Sequence, residues 1–491
     1  MSSTPVLERL TTGSTALDSI LGGGLPVRSV NLISGEPGTG KTLFSLQMLF
    51  ALAKQGKKSL YLTTLSEPSL KLIQYMQQFS FFDQSVMDRE IVVADLGSAI
   101  RHKGAEATLN EIAVRVEHAQ PAVIVIDSFK AIRDIVSDAA ALRTFVYDLA
   151  VHTAGWGAAS LLVGEYTEAD SANHAEFAIA DGIIRFANSR QELTAIREVE
   201  VLKLRGADYV TGAHFYEIGS DGLTFFPRVR GLDALALESA GTTSRPVSTP
   251  ERVSTGIAGL DTMLGGGLPR ASTTVVQGGT GTGKTLLGLQ FLLEGARRGE
   301  AGIHFMLEET PDQLREIAQS LGWDLPAFED RGLLTLRYVS PVELSTDRFL
   351  SRARQEVEQR GARRAVLDSL TSLALGVPSD RRFKELVYAI AKHFRSSGVT
   401  LNMNMEVADL LGSAQLSGHG VSFAGDNVIQ LKYVEIHGRL ERGLSVLKAR
   451  GVRHATDVRR LSVERDGVQV GSPFEGLRGV LTGFPVPTSE R

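Results

Sequence analysis

Cysteine is missing from all 491 residues, which excludes disulfides, thiolate zinc sites and cysteine nucleophiles and fits a reducing, cytoplasmic setting. No apolar run approaches the roughly 18 residues a membrane-spanning helix needs. The opening MSSTPVLERLTTG has no apolar core behind basic residues, so it does not read as a secretory signal and no membrane association is expected. Net charge is only -4, giving no global pull toward nucleic acid or anionic lipid. What remains is 43% hydrophobic and 22% charged, the balance of a folded globular chain too long for one ordinary core.

The chain is one unit written twice. TGSTALDSILGGGLP at 12–26 returns as TGIAGLDTMLGGGLP at 255–269, and SGEPGTGKTLFSLQMLF at 34–50 returns as QGGTGTGKTLLGLQFLL at 277–293. Lys41 and Lys284 lie 243 residues apart (284 minus 41), and the pairs VIVIDS with AVLDSL and VLKLRG with VLKARG keep nearly that offset. Shared order and spacing over such a length require duplication. The stretch ESAGTTSRPVSTPER at 238–252 is rich in Ser, Thr, Gly and Pro and lacks apolar periodicity. The expected organisation is therefore 1–240 for the first domain, 241–252 for a linker and 253–491 for the second.

Within each unit, short apolar runs alternate with helical patterns. Continuous apolar runs are the mark of buried parallel strands, and the helices supply the crossovers, so the fold class is α/β with a mostly parallel sheet flanked by helices. In the first unit helices are expected from Lys41, from near Pro68, and near 104–118 and 138–153. Each unit closes on alternating segments such as LTAIREVEVLKLRG, which predict antiparallel strands at the sheet edge.

GEPGTGKT at 35–42 and GGTGTGKT at 278–285 both satisfy the P-loop pattern, and each follows a predicted strand and opens a helix. Gly35, Gly38, Thr39, Gly40 and Leu43, with Gly278, Thr280, Gly281, Thr282, Gly283 and Leu286, form loops whose amides can wrap a phosphate at a helix N-terminus. Lys41 and Lys284 are placed to touch the β- and γ-phosphates of ATP. Thr42 and Thr285 are placed to hold Mg2+. Asp127 and Asp368 end the apolar strands VIVID and AVLD, where a carboxylate can order the metal's hydration shell.

TGxxxLDxxLGGGLP, the P-loop followed by TLxxLQ, the strand-ending Asp-Ser and the YVEIHGRLERGLSVLKARG stretch at 433–451 together resemble the KaiC family of double-domain, RecA-like ATPases. The resemblance covers nearly the whole chain. It implies two tandem RecA-like P-loop NTPase domains, a homohexamer of two stacked rings with ATP at subunit interfaces, ATPase activity, and serine/threonine autokinase activity in the C-terminal ring. The family's glutamate pair after the second strand matches Glu308 and Glu309, implying the base for the attacking water or hydroxyl. In the first unit the corresponding run is LYLTTLSEPS, where threonine and leucine replace the pair and Glu67 is the nearby acid. That departure leaves two expectations for the first domain, slow hydrolysis or use of Glu67. Lys203 and Arg205, with Lys448 and Arg450, match positions that reach a neighbouring subunit's nucleotide.

The same resemblance places the phosphate acceptors on Ser422, with Phe423 replacing the partner threonine, and on Ser417. The long C-terminal tail that engages a KaiA-type activator is absent, so that control is not expected; a KaiB-like or other signalling protein is the expected partner class. His174, His304, His419 and His454 show no metal-ligand spacing and read as structural or solvent-facing. The arginine pairs at 363–364, 381–382 and 459–460 read as solvated faces or interface residues. Two other functions stay open: a RecA-like nucleic-acid-dependent ATPase, against which stand the negative net charge and the lack of a basic aromatic loop, and a non-catalytic scaffold cemented by ATP.

Overall fold

A computed structural model describes residues 7–64, 69–136, 138–167, 169–170, 174–191, 194–228, 251–341, 346–377, 379–407, 424–480 and 485–487. The chain divides into two compact units, Met1–Arg228 and Val229–Arg491. In the first, one sheet is built from β1 Val30–Gly35, β2 Ser59–Thr63, β3 Ile91–Asp95, β4 Val123–Asp127, β5 Ala159–Glu165, β6 Gly182–Gln191, β7 Thr194–Leu204, β8 Ala213–Gly219 and β9 Gly222–Phe226. Their spatial order is β3-β2-β4-β5-β1-β6-β7-β8-β9. The strands from β3 across to β6 run parallel, and β6 through β9 form an antiparallel meander.

The second unit repeats this order with β10 Thr273–Gly278, β11 Gly302–Met306, β12 Leu334–Tyr338, β13 Arg364–Asp368, β14 Thr400–Glu406, β15 Asn427–Ile436, β16 Arg439–Ala449, β17 Arg459–Glu464 and β18 Gly467–Pro473, arranged β12-β11-β13-β14-β10-β15-β16-β17-β18. Both units are α/β folds of RecA-like type. The antiparallel tails expected from the alternating segments are present in both.

The parallel strands are apolar because helices cover both faces. Val123, Ile124, Val125 and Ile126 of β4 are all fully buried, odd and even residues joining core clusters on opposite faces. Each such side chain contributes about 1.5–3 kcal/mol of burial, which explains why the strand tolerates no polar residue until Asp127 at its end. Helices occupy Lys41–Ala53, Ser69–Met76, Gly97–Ala119 and Ala139–Trp156. The third starts earlier than the 104–118 pattern suggested, because two helical segments meet at Gly104, whose φ of 77° breaks the periodicity.

The duplicated TG/LD motif has a mechanical reason. Asp18 accepts hydrogen bonds from the Thr12 amide at 2.8 Å and from the hydroxyls of Thr12 and Thr11. Asp261 does the same with Thr255 and Ser254. The pinned turn launches a short helix whose Leu17 and Ile20, or Leu260 and Met263, enter the core. No helix among the described residues is long and apolar enough to cross a membrane.

Candidate active sites

Each P-loop joins the C-terminal end of a central strand to the N-terminus of a buried helix, Lys41–Ala53 or Lys284–Arg297. Gly40 (φ 88°) and Gly283 (φ 104°) cap those helices in the left-handed region, where a side chain would be strained. Gly35 and Gly278 are required by space: a Cβ there would sit 2.0 Å from the Phe186 carbonyl oxygen or 2.6 Å from that of Leu431. Thr39 and Thr282 tie the loops from inside, donating to the carbonyls of Glu36 and Gly279 at 2.8 Å.

Both lysines are buried within their loops. Lys41 Nζ donates to the Glu36 carbonyl at 2.7 Å, and Lys284 Nζ to the carbonyls of Gly278 and Gly279 at 3.0 and 2.9 Å. Burial pulls both amines below the usual lysine value. Glu165, Asp127 and Glu36 oppose that at Lys41, as Glu406, Asp368, Glu308 and Glu309 do at Lys284.

The strand-end aspartates lie on the strand two places from the P-loop strand. Asp127 Oδ2 accepts from Thr42 Oγ1 at 2.7 Å and from the Tyr61 hydroxyl at 2.7 Å. The position equivalent to Tyr61 in β11 is His304, fully buried, with Nε2 3.9 Å from Asp368 Oδ2. Neither His304 ring nitrogen nor Asp368 Oδ2 has a hydrogen-bond partner among the described residues. Burial pulls His304 down to about 4, so the ring is neutral at physiological pH. The unpartnered, buried Asp368 oxygen, near enough to the P-loop Lys284 to act on its charge, is a ligand that a hydrated Mg2+ would satisfy, so the residues fit that ion. Of the two readings offered for the histidines, His304 takes the buried one.

The glutamate pair lies just beyond β11. Glu308 accepts from Ser369 Oγ and Ser372 Oγ, both at 2.5 Å. Glu309 carries a carboxyl raised above its ordinary value by burial, then by Asp368 and Glu308. Pairing corrects the first-unit correspondence by one residue. Met306 faces Asp368 as Thr63 faces Asp127, and the Leu307 and Thr64 amides each donate to that aspartate's carbonyl. Thr64 therefore answers to Leu307, so that in sequence the pair's counterparts are Leu65 and Ser66, which lie outside the described residues. Glu67, Ser417, Ser422 and Phe423 lie outside the described residues.

Lys203, Arg205, Lys448 and Arg450 sit far from their own P-loops. The Arg205 amide donates to the Asp181 carbonyl and the Asp181 amide to that of Val30, so this end of β7 is level with the start of β1. The P-loop is at the other end of β1, about 16 Å away at roughly 3.3 Å per residue. Arg450, Asp426 and Thr273 repeat the arrangement. Lys203 Nζ donates to the Ala178 carbonyl at 3.0 Å and Lys448 Nζ to that of Gly425 at 2.6 Å. The Arg205 and Arg450 side chains are 59% and 62% exposed.

Two acids passed over in the sequence belong to these sites. Glu165 ends β5 and Glu406 ends β14, each paired with the first P-loop glycine, Gly35 or Gly278. A cavity of about 600 Å3 in the first unit is lined by Gly38, Lys41, Thr42, Tyr61, Asp127 and Glu165, among others. Another of about 630 Å3 in the second unit, between β12 and the helix Thr346–Arg360, touches none of the P-loop or carboxylate residues. Lysine, hydroxyl and carboxylates converge instead at the P-loops.

The family model of the KaiC ATPase matches this chain twice, over residues 10–230 and 253–475. The chain is 30% identical to the circadian clock protein KaiC3 of Synechocystis sp., with 99% of this chain and 96% of that protein covered. It is 29% identical to the circadian clock oscillator protein KaiC of Picosynechococcus sp., covering 98% and 92%. It is also 30% identical to the protein so named from Parathermosynechococcus lividus, covering 96% and 87%. Two matched repeats, two like sheets and two P-loops facing strand-end aspartates have one reading: the chain belongs to the KaiC ATPase family.

Proposed function

We propose that this chain is an ATP-driven switch that binds Mg-ATP in both units, hydrolyses it, assembles as a homohexamer and phosphorylates itself in the second unit. The observation that carries the reading is the hydrogen bond of Thr42 to Asp127 beside the buried Lys41, on a scaffold repeated at Thr285, Asp368 and Lys284. The P-loop amides and the lysine bind and orient the triphosphate, and the threonine and aspartate hold Mg2+ and its water shell. Magnesium, when bound, neutralises phosphate charge. Glu308 and Glu309 accept the proton of the attacking water, or of a serine hydroxyl when the acceptor is Ser422 or Ser417.

The position of the four KxRG cations supports ring assembly. They lie too far from the nucleotide of their own unit to contact it, yet two of them present exposed guanidinium groups suited to another copy's γ-phosphate. The clock names borne by the relatives favour a signalling or timing role with a KaiB-like or other protein partner.

Incubation of the purified protein with γ-labelled ATP, followed by mass-spectrometric mapping, tests the reading. Released phosphate together with label on Ser422 or Ser417 is the expected result. Released phosphate from unlabelled protein would remove the autokinase and leave an ATPase switch. Absence of phosphate release would overturn the enzyme and favour the ATP-cemented scaffold, and turnover that needs salt-sensitive single-strand binding would favour the nucleic-acid motor.

A further inference from the structure

We propose that Glu165 is the catalytic proton acceptor of the first nucleotide site, replacing the glutamate pair that this unit lacks; the proposal rests on the two-site ATPase reading above. Glu165 is the last residue of β5, level with Gly35 where the P-loop starts. It lines the cavity of about 600 Å3 that also holds Lys41, Thr42 and Asp127, and Asp127 is the only other carboxylate among the described residues lining it. Asp127 is engaged by Thr42 and Tyr61. Among the described residues, Glu165 is therefore the acid left to meet an attacking water.

The two copies diverge in a compensating way. In the second unit the equivalent Glu406 accepts a hydrogen bond from Thr280 Oγ1 of its P-loop, and the Glu308 and Glu309 pair stands nearby. The P-loop position matching Thr280 in the first unit is Pro37, which has neither hydroxyl nor N–H to give. Glu165 accordingly accepts no hydrogen bond from any described residue, and it is exposed toward the cavity. Where the pair exists, the strand-end glutamate is tied to the loop; where the pair is missing, it is released.

The step balances as ordinary hydrolysis. A water proton passes to a Glu165 carboxylate oxygen while the water oxygen bonds the γ-phosphorus. The bond from that phosphorus to the bridging oxygen breaks, its electron pair leaves with ADP, and Glu165 returns the proton to solvent. Lys41 and the P-loop amides stabilise the phosphate charge throughout.

The test uses the full chain carrying Lys284→Ala, so that phosphate release reports the first site. Glu165→Gln keeps shape and removes the base. It should lower turnover about 100-fold or more and leave affinity for a fluorescent ATP analogue within a few fold. Pro37→Thr, which restores the second unit's tether, should also slow release. Unchanged turnover in Glu165→Gln overturns the proposal. So does a Lys284→Ala protein that releases no phosphate while Lys41→Ala still does, an outcome that leaves the ATPase reading intact. Failure of the wild-type chain to release phosphate instead defeats that reading itself.

Discussion

Replacing Glu308 and Glu309 together by glutamine should lower phosphate release from the second unit by about 10²- to 10⁴-fold, measured in a Lys41→Ala background that silences the first. The chain holds this pair with care. Ser369 and Ser372, at the start of the helix Leu370–Leu375, donate both hydroxyls to Glu308 and fix its carboxylate. Glu309, deprived of solvent and repelled by Asp368 and Glu308, has a proton affinity raised above that of an ordinary glutamate. A base must be ionised to act, so turnover falls as pH drops through its pKa. The acid limb of the second unit should therefore lie higher than an ordinary glutamate would give and vanish in the double variant. Full activity of that variant would assign the proton to another group.

Loss of either P-loop lysine should remove one nucleotide per chain and leave the other in place. Each amine is buried and pinned to loop carbonyls by hydrogen bonds of 2.7–3.0 Å, so it organises the loop as well as meeting phosphate. Truncating one partner of such a charge pair costs about 2–5 kcal/mol, which raises the dissociation constant roughly 30-fold at the least and far more at the upper bound. Lys41→Ala and Lys284→Ala should each titrate with half the wild-type stoichiometry in the micromolar range, and the double variant should not titrate there. Two nucleotides retained by both single variants would show that the grip lies elsewhere.

How much of this was legible from the chain depends on how local each signal is. The P-loops and strand-end aspartates are written in contiguous residues, because one strand, one turn and one helix build each cradle. The sheet type followed from runs such as VIVID, whose odd and even residues both had to be buried. Glu165 and Glu406 could not be read out, since each enters its site through pairing with a strand more than a hundred residues earlier, and an acid after an apolar run looks like a strand end. Tyr61 and His304 sit within apolar strands and pass for core until their neighbours across the sheet are known. The one-residue slip at Thr64 has the same origin. A strand's register is fixed by its partners, and only the pairing of Thr63 with Asp127 sets it.

The most direct measurement is a calorimetric titration of the wild-type chain with magnesium and a non-hydrolysable ATP analogue. Two nucleotides bound per polypeptide is the result expected of two intact cradles. A stoichiometry of zero would contradict the nucleotide-driven account, and with it every role assigned above to a carboxylate or a cation.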